Sequence, residues 1–305
     1  MRATPSGSLG VKFAREWAPE ALVRFARDAE AAGLDELWLV EDLGFHGGFG
    51  PCGVALAVTE RITVGLAIAP AVVRNAAYLA MEVASLARMF PGRFHMGLGH
   101  GVESWIEQVG ATPPSWLGSL RETTDAMRKV IAGGPVSYAG QHVRLDAVEL
   151  WFPATAPVSL GVRGPRGMAL AGEVADGVIF AELSGPAYVE RVRRTLGRDP
   201  RLTVLVHAST DPDRLRRQID LRLAQPRFHG QLVDYGHDRI DGWVRRIGRT
   251  PDPDDDPYRE FGVSGPFDTW ADQAARWFDA GADSVVFAPT LDDDPTEIAG
   301  WSSAR

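Results

Sequence analysis

Hydrophobic positions along this chain come in two patterns that take turns. Short continuous apolar runs suit strands buried on both faces. Longer stretches with apolar residues at three- and four-residue spacing suit helices packed by one side. Leu9–Phe13 is the first run, and from Pro19 it gives way to a helical stripe of Ala21, Leu22, Phe25, Ala29 and Ala32 that Gly33 ends. Asp35–Val40 follows as a strand, apolar throughout from Leu37 to Val40. A short helix closes at Ala55–Val58, and Arg61–Ala69, rich in β-branched residues, is the third strand. Ala76–Phe90 is a helix with Leu79, Val83, Leu86 and Met89 along one stripe; Pro91 and Gly92 break it before the strand Arg93–Leu98. Leu120–Ile131 is a helix, and Val136–Leu145 reads as a small hairpin around Ala139–Gly140. Strands Val158–Gly161, Val178–Ala181, Leu202–Val206 and Ser284–Ala288 then alternate with helices Pro165–Ala175, Ala187–Leu196, Asp213–Leu223 and Ala271–Ala280.

Repeated βα units with short connections imply a parallel sheet with right-handed crossovers. Eight such units in 305 residues fit a closed (β/α)8 TIM barrel, with an open doubly wound sheet as the competing architecture. Two insertions interrupt the pattern. Gly101–Ser119 follows strand 4, and the polar, Pro-rich Pro226–Asp268 follows strand 7, with a helix predicted at Arg239–Ile247. No repeat beyond the βα period is visible, so residues 1–305 are read as a single domain.

Composition narrows the function more than the fold. The chain is 45% hydrophobic and 24% charged, ordinary for a domain with a sizeable core. A net charge of −8 without a basic stripe argues against a nucleic-acid partner. Part of the acid lies in two runs, Asp252 with Asp254–Asp256 and Asp292–Asp294, which read as solvated loops. Cys52 is the only cysteine, which excludes an intrachain disulfide and a cysteine-rich metal site. His95, His142, His207, His229 and His237 show no metal-ligand spacing, and no metal is expected. No apolar stretch approaches the roughly 20 residues of a membrane span, and Met1–Gly10 lacks the apolar core of a signal peptide. The expectation is a cytoplasmic protein with a small-molecule partner, which leaves room for a homodimer.

Barrel chemistry sits on the loops after the strands, so those segments hold the candidates. Strand 1 leads into Arg15, Glu16 and Trp17; strand 2 into Glu41, Asp42, Phe45 and His46; strand 6 into Glu182. Asp42 ends a very apolar strand, where an unpaired carboxylate would be costly. It is read as a pocket carboxylate, or else as a partner for an adjacent loop. Glu41 competes with it, but neighbouring strand residues point to opposite faces, so only one faces the pocket. His100, between Gly99 and Gly101 after strand 4, is suited to proton transfer near neutral pH. Glu16 and His46 are further proton candidates. Gly161-Val162-Arg163-Gly164-Pro165 runs straight into a helix, and the N–H groups of such a helix start form an anion site. Arg74, Arg163 and Arg166 are candidates to face a phosphate.

These segments also carry a resemblance. Glu82–Gly101 (EVASLARMFPGRFHMGLGHG), Gly161–Gly177 (GVRGPRGMALAGEVADG), Ala29–Asp42 (AEAAGLDELWLVED) and Val136–Leu145 (VSYAGQHVRL) are similar to the bacterial-luciferase-like family of flavin- and deazaflavin-dependent oxidoreductases. LGVKFAREWAPE (Leu9–Glu20), the Gly99-His100-Gly101 turn and Trp105–Ala111 resemble its branch that uses coenzyme F420. The resemblance implies hydride transfer between C5 of the deazaflavin and a small organic substrate. It places the cofactor phosphate at Gly161, Val162, Arg163 and Gly164, and the ring between strand 3 and the loop Gly99, His100 and Gly101. It also implies a non-proline cis peptide at Ala67–Ile68 behind the ring, and proton chemistry at Asp42, His100 and Glu16. The sugar-phosphate dehydrogenases of that branch carry His and Glu where this chain has Asp42 and His100, so the chain departs from them at both. An FMN-dependent two-component monooxygenase and a non-catalytic flavin-binding barrel are the alternative functions.

Overall fold

The computed structural model describes residues 7–196, 200–226, 240–245, 247–249 and 256–297. Its parallel strands are β1 (Ser8–Lys12), β2 (Glu36–Leu39), β3 (Thr63–Pro70), β4 (Phe94–Gly99), β7 (Val158–Gly161), β8 (Gly177–Phe180), β9 (Arg201–Ser209) and β11 (Ser284–Pro289). They pair in chain order. β11 returns to β1 through Leu9 opposite Val285, and β8 meets β9 through Val178 opposite Leu202, so the sheet closes on itself. This is the closed barrel, not the open sheet. Each predicted strand is present, within a residue or two of its expected bounds except β9, which runs three residues past Val206 to Ser209.

Closure follows from side-chain alternation along each strand. Val11, Leu37, Leu39, Val64, Leu66, Met96, Leu98, Val204, Val206, Val285 and Phe287 join one large core with the surrounding helices. The residues between them point inward, where Trp38, Ala67, Ile179, Leu205 and Val286 form a separate apolar layer inside the barrel. Below that layer the N-terminal end is closed by polar groups. Glu36 forms an ion pair with Arg201 and accepts hydrogen bonds from Trp38 Nε1 (2.7 Å) and Ser284 Oγ (2.7 Å). His95 Nε2 lies 2.8 Å from Ser159 Oγ. Burial pushes the His95 pKa down to about 4, with the Arg201 charge adding to the effect.

The outer helices are α1 (Leu22–Ala31), α2 (Phe49–Ala57), α3 (Ala76–Met89), α4 (Glu103–Gln108), α5 (Trp116–Ala132), α6 (Gly164–Val174), α7 (Pro186–Thr195) and α8 (Pro212–Leu223). After these come α9 (Ile240–Arg245), α10 (Pro257–Phe261) and α11 (Trp270–Asp279). Helix α3 starts where the Asn75 side chain accepts from Ala77 N, and α5 where Ser115 accepts from Gly118 N, ordinary N-caps. Leu79, Val83 and Leu86 of α3 are buried as their spacing predicts, but Met89 is 62% exposed because the helix has run past the sheet. Burial of one such leucine stabilises the fold by about 1.5–3 kcal/mol.

Both insertions hold structure that the hydrophobic pattern did not reveal. The first contains α4, and it precedes α5 and the hairpin of β5 (Val136–Ala139) and β6 (Arg144–Val148). The second contributes α9, within the helix expected at Arg239–Ile247, and also α10 and the short strand β10 (Gly262–Ser264), which pairs with β9 through Val263 opposite Ala208. Three residues are too few to show a period. In the second acidic run Asp292 and Asp294 are exposed, as a solvated loop requires, but Asp293 is not. Asp293 accepts hydrogen bonds from Ser209 Oγ, Thr290 N and Thr290 Oγ1, pairs with Arg214, and is only 8% exposed at its side chain. Asp256 caps α10; Asp252, Asp254, Asp255, His229 and His237 lie outside the described residues.

Candidate active site

The C-terminal ends of β1 and β2 bring three charged candidates together. Arg15 Nη1 donates to Asp42 Oδ2 at 2.6 Å, and Arg15 Nε donates to Glu16 Oε1 at 2.8 Å. Asp42 and Glu16 are thus joined through one guanidinium. Burial works against the Arg15 charge, but the bonds to Glu16 and Asp42 outweigh it and raise its pKa. Arg15 also lies over the rings of Phe45 (5.0 Å) and Trp105 (5.4 Å), which wall the mouth. Glu41 points elsewhere, as alternation requires, and holds Arg74 in a two-pronged ion pair. Arg74 is therefore not free to face a phosphate; it stacks on Phe49 at 5.2 Å. Trp17 packs on Phe13 and Phe25, and its Nε1 donates to the Asp293 carbonyl. His46 stacks on Phe13 at 5.5 Å, and its Nε2 is buried with no hydrogen-bond partner.

A second group forms where β3, β4 and β7 end. The Ala67–Ile68 peptide is cis, and the β3–β4 pairing shifts register between Leu66 and Ala69. Ile68 projects across the ends of the next two strands. A Cβ built on Gly99 would lie 3.0 Å from Ile68 Cγ1, and one on Gly161 only 2.6 Å from Ile68 Cγ2. Those two glycines, read from sequence as places of close ligand approach, first of all make room for Ile68. Beyond Gly99, His100 sits against Trp116 with ring centroids 5.8 Å apart. Its Nε2 is buried and has no partner. Burial lowers the His100 pKa, while a backbone hydrogen bond with Trp116 acts in the opposite sense. Gly101 turns the chain away with Pro70 beneath it. No hydrogen bond or ion pair among the described residues joins His100 to Asp42, so the two stand as separate groups on one rim.

The third element is the start of α6. Gly164 has φ +71°, a conformation glycine adopts freely, and nothing lies within 4 Å of a Cβ placed there. Arg163 occupies the N-cap position and supplies no side-chain cap, and Pro165 follows in the first turn. The first N–H groups of the helix are therefore left for another acceptor. Val162 is buried in the core, so only its backbone can meet a ligand, whereas Arg163 and Arg166 are exposed.

A fourth group contains Glu182, named from sequence as the residue after strand 6, with two partners that sequence did not connect to it. Lys12, at the end of β1, reaches across the barrel interior to an ion pair with Glu182, which follows β8. Burial alone would raise the Glu182 pKa, but Lys12, followed by His207 and Arg222, holds it far below the carboxylate range. His207, on the inward face of β9, is 1% exposed, and neither ring nitrogen has a hydrogen-bond partner. Burial takes its pKa down to about 3, with Glu182 opposing and Arg222 and Lys12 assisting. Alternation from Leu205 was the signal available for His207; nothing in residue spacing linked Lys12 to Glu182.

Among the described residues no cluster of three or more His, Cys, Asp or Glu side chains is placed to hold a metal ion, and no helix is long and apolar enough to cross a membrane.

Comparison with known proteins adds the following. The profile of the luciferase-like monooxygenase family matches residues 5–284. The chain is 28% identical over 174 residues to a 5,10-methylenetetrahydromethanopterin reductase of Methanolobus tindarius, covering 57% of this chain and 53% of that protein. It is 27% identical over 234 residues to an F420-dependent glucose-6-phosphate dehydrogenase of Nakamurella multipartita, covering 68% of this chain and 69% of the relative. The chain thus spans about half the length of the reductase that it matches. Among solved structures, an F420-dependent secondary alcohol dehydrogenase bound to an F420-acetone adduct superposes with a TM-score of 0.77 at 20% identity, covering 98% of both chains. An FMN complex of the oxygenating constituent of 3,6-diketocamphane monooxygenase from Pseudomonas putida superposes with a TM-score of 0.70 at 17% identity, covering 97% of this chain and 95% of that one. At these identities the structures speak for the barrel fold alone.

Proposed function

This chain belongs to the luciferase-like monooxygenase family, and from that premise we propose that it is an F420-dependent oxidoreductase moving a hydride between C5 of the deazaflavin and a small organic substrate. The observation that carries the reading is the colinear similarity to a dehydrogenase named for its F420 dependence, over 68% of this chain. The residues at the barrel mouth fit such a group. The start of α6 offers uncapped N–H donors to a phosphate, with open space at Gly164. His100 Nε2 is a buried polar atom that lacks a partner, and each such atom in a folded protein calls for one.

The bound cofactor would supply the hydride donor or acceptor; orientation and proton handling fall to the protein. Gly161, Val162, Arg163 and Gly164 would hold the phosphate through backbone N–H groups. Ala67 and Ile68 would back the ring, facing the Gly99–Gly101 loop. Removing a hydride from a substrate carbon leaves a proton to be taken from the attached heteroatom. His100, kept neutral at pH 7 by burial, would accept that proton and return it in the reverse direction. Asp42 and Glu16, fixed by Arg15, would stand on the same rim as a separate charged group.

The test is a titration of the purified protein with F420 and with FMN, followed by tryptophan quenching. Saturable F420 binding tighter than FMN binding is expected. FMN binding with no response to F420 would replace this reading by the monooxygenase one.

A further inference from the structure

The group least explained by the proposed function is His207. A buried imidazole with two unpartnered nitrogens is rare, because a polar group taken out of water needs a hydrogen-bond partner to offset its lost hydration. We infer that Lys12, Glu182 and His207 form a subsite inside the barrel for one uncharged oxygen, a hydroxyl or carbonyl group of the substrate. This rests on the reading that the barrel mouth binds substrate.

Three observations carry it. The first is register. Val11 pairs with Phe287 and Ala288 pairs with His207, so Lys12, Ala288 and His207 follow one another along a single rung of the sheet. Ala288 contributes only a methyl group between the two polar side chains. The second is donor count. An ammonium has three N–H donors, and Glu182 is the one partner described for Lys12, which leaves donors for a further acceptor. The third is charge. Lys12, Arg15 and Arg74 are each already held by a carboxylate. An anionic substrate group would therefore find no uncompensated positive charge among them and would be repelled by the partner carboxylates, whereas an uncharged oxygen would not.

The chemistry also suits either kind of neutral oxygen, carried on a substrate atom other than the one that exchanges the hydride. A neutral imidazole carries one donor and one acceptor nitrogen. A hydroxyl can accept from Lys12 Nζ and donate to the bare nitrogen of His207. A carbonyl oxygen can accept from Lys12 Nζ and from the N–H of the other tautomer. The same side chains therefore bind either group without a change of charge, and the oxygen at the reacting carbon is left to His100.

The test uses the cofactor-free protein, so that it stands apart from F420 binding. Ring nitrogen NMR signals of His207, in protein labelled with 15N-histidine, are followed at pH 7 during titration with 2-butanol, butanone, acetate or inorganic phosphate. Saturable displacement of the His207 signals by the alcohol and the ketone is expected, with acetate and phosphate giving none. In His207→Gln, which keeps a polar group and so protects the fold, affinity for the two neutral probes, read by calorimetry, is expected to fall about tenfold. Unmoved His207 signals with both neutral probes, or equal displacement by the anions, would overturn the assignment. A protein that fails to bind F420 but shows the expected titration would instead overturn the cofactor reading and leave the subsite standing.

Discussion

Replacing Gly161 by alanine tests what the glycines at the barrel mouth are for. The added Cβ would sit 2.6 Å from Ile68 Cγ2, about 0.8 Å inside the 3.4 Å at which ordinary contact begins. Relief requires Ile68 to move, and overpacking of this kind costs about 1–3 kcal/mol. Ile68→Ala alone loses a partly buried side chain, at about 2 kcal/mol. In the double variant the new methyl enters space that Ile68 has left, so the two costs should fall short of additive by about 1–2 kcal/mol. Gly164→Ala is the control. Its Cβ meets nothing, and its cost of about 1–2 kcal/mol comes from the left-handed backbone, so Ile68→Ala should not change it. Urea unfolding of the single and double variants at constant m value measures each term. Cofactor titration of the same proteins should show Ile68→Ala restoring affinity lost in Gly161→Ala, but not affinity lost in Gly164→Ala. Strict additivity between positions 161 and 68 would refute the view that Gly161 exists to admit Ile68.

Two further outcomes follow from the polar groups. His100→Gln and Asp42→Asn should each lower single-turnover hydride transfer by about 10²–10⁴-fold while F420 affinity changes little; near-normal transfer in both would assign the proton to Glu16, His46 or water. His95 stays neutral in the folded barrel down to about pH 4 but takes up a proton when unfolded below its ordinary 6.5. The unfolded state then binds more protons, so stability falls as pH drops through that window, by up to about 1.4 kcal/mol per pH unit. His207, depressed to about 3, adds a similar slope. His95→Gln should therefore remove about half of the combined slope between pH 6.5 and 4 in denaturant titrations, and an unchanged slope would contradict the buried neutral imidazole.

The barrel was legible because its strands are buried on both faces. That burial writes continuous apolar runs such as Leu37–Val40, and breaks such as Gly33 and Pro91–Gly92 frame them. Short elements were not: β10 and α10 are held by pairing with β9 and by the Asp256 cap, neither of which leaves a period. Loop charges were read too simply. Asp293 belongs to a run of three acids, yet Ser209, Thr290 and Arg214 organise it. Around the barrel mouth, sequence placed Asp42, His100 and the Gly161–Gly164 loop after strand ends but did not show what each touches. Arg15 as the link between Asp42 and Glu16, and Arg74 as the partner of Glu41, depend on how two loops meet. The Lys12–Glu182 pair joins residues far apart in the chain, which only closure of the barrel brings together.

The distribution of charge around the mouth separates two tasks. Lys12, Arg15 and Arg74 are neutralised by Glu182, by Asp42 with Glu16, and by Glu41, so the β1, β2 and β8 ends offer an anion little net attraction. Attraction for a phosphate remains at the β7–α6 turn, where helix N–H groups are uncapped and the exposed Arg163 lies beside them. On the proposed reading, a cofactor tail anchored there would leave its ring to extend toward His100, after the adjacent β4, and Ile68, on β3 one strand further. The paired charges can then hold fixed positions without competing for the tail. On the proposed reading, phosphate anchoring and proton handling would lie on different strands, so a substitution in one group should leave the other function near its starting value. A single merged site, with the cations free, could not keep the two apart.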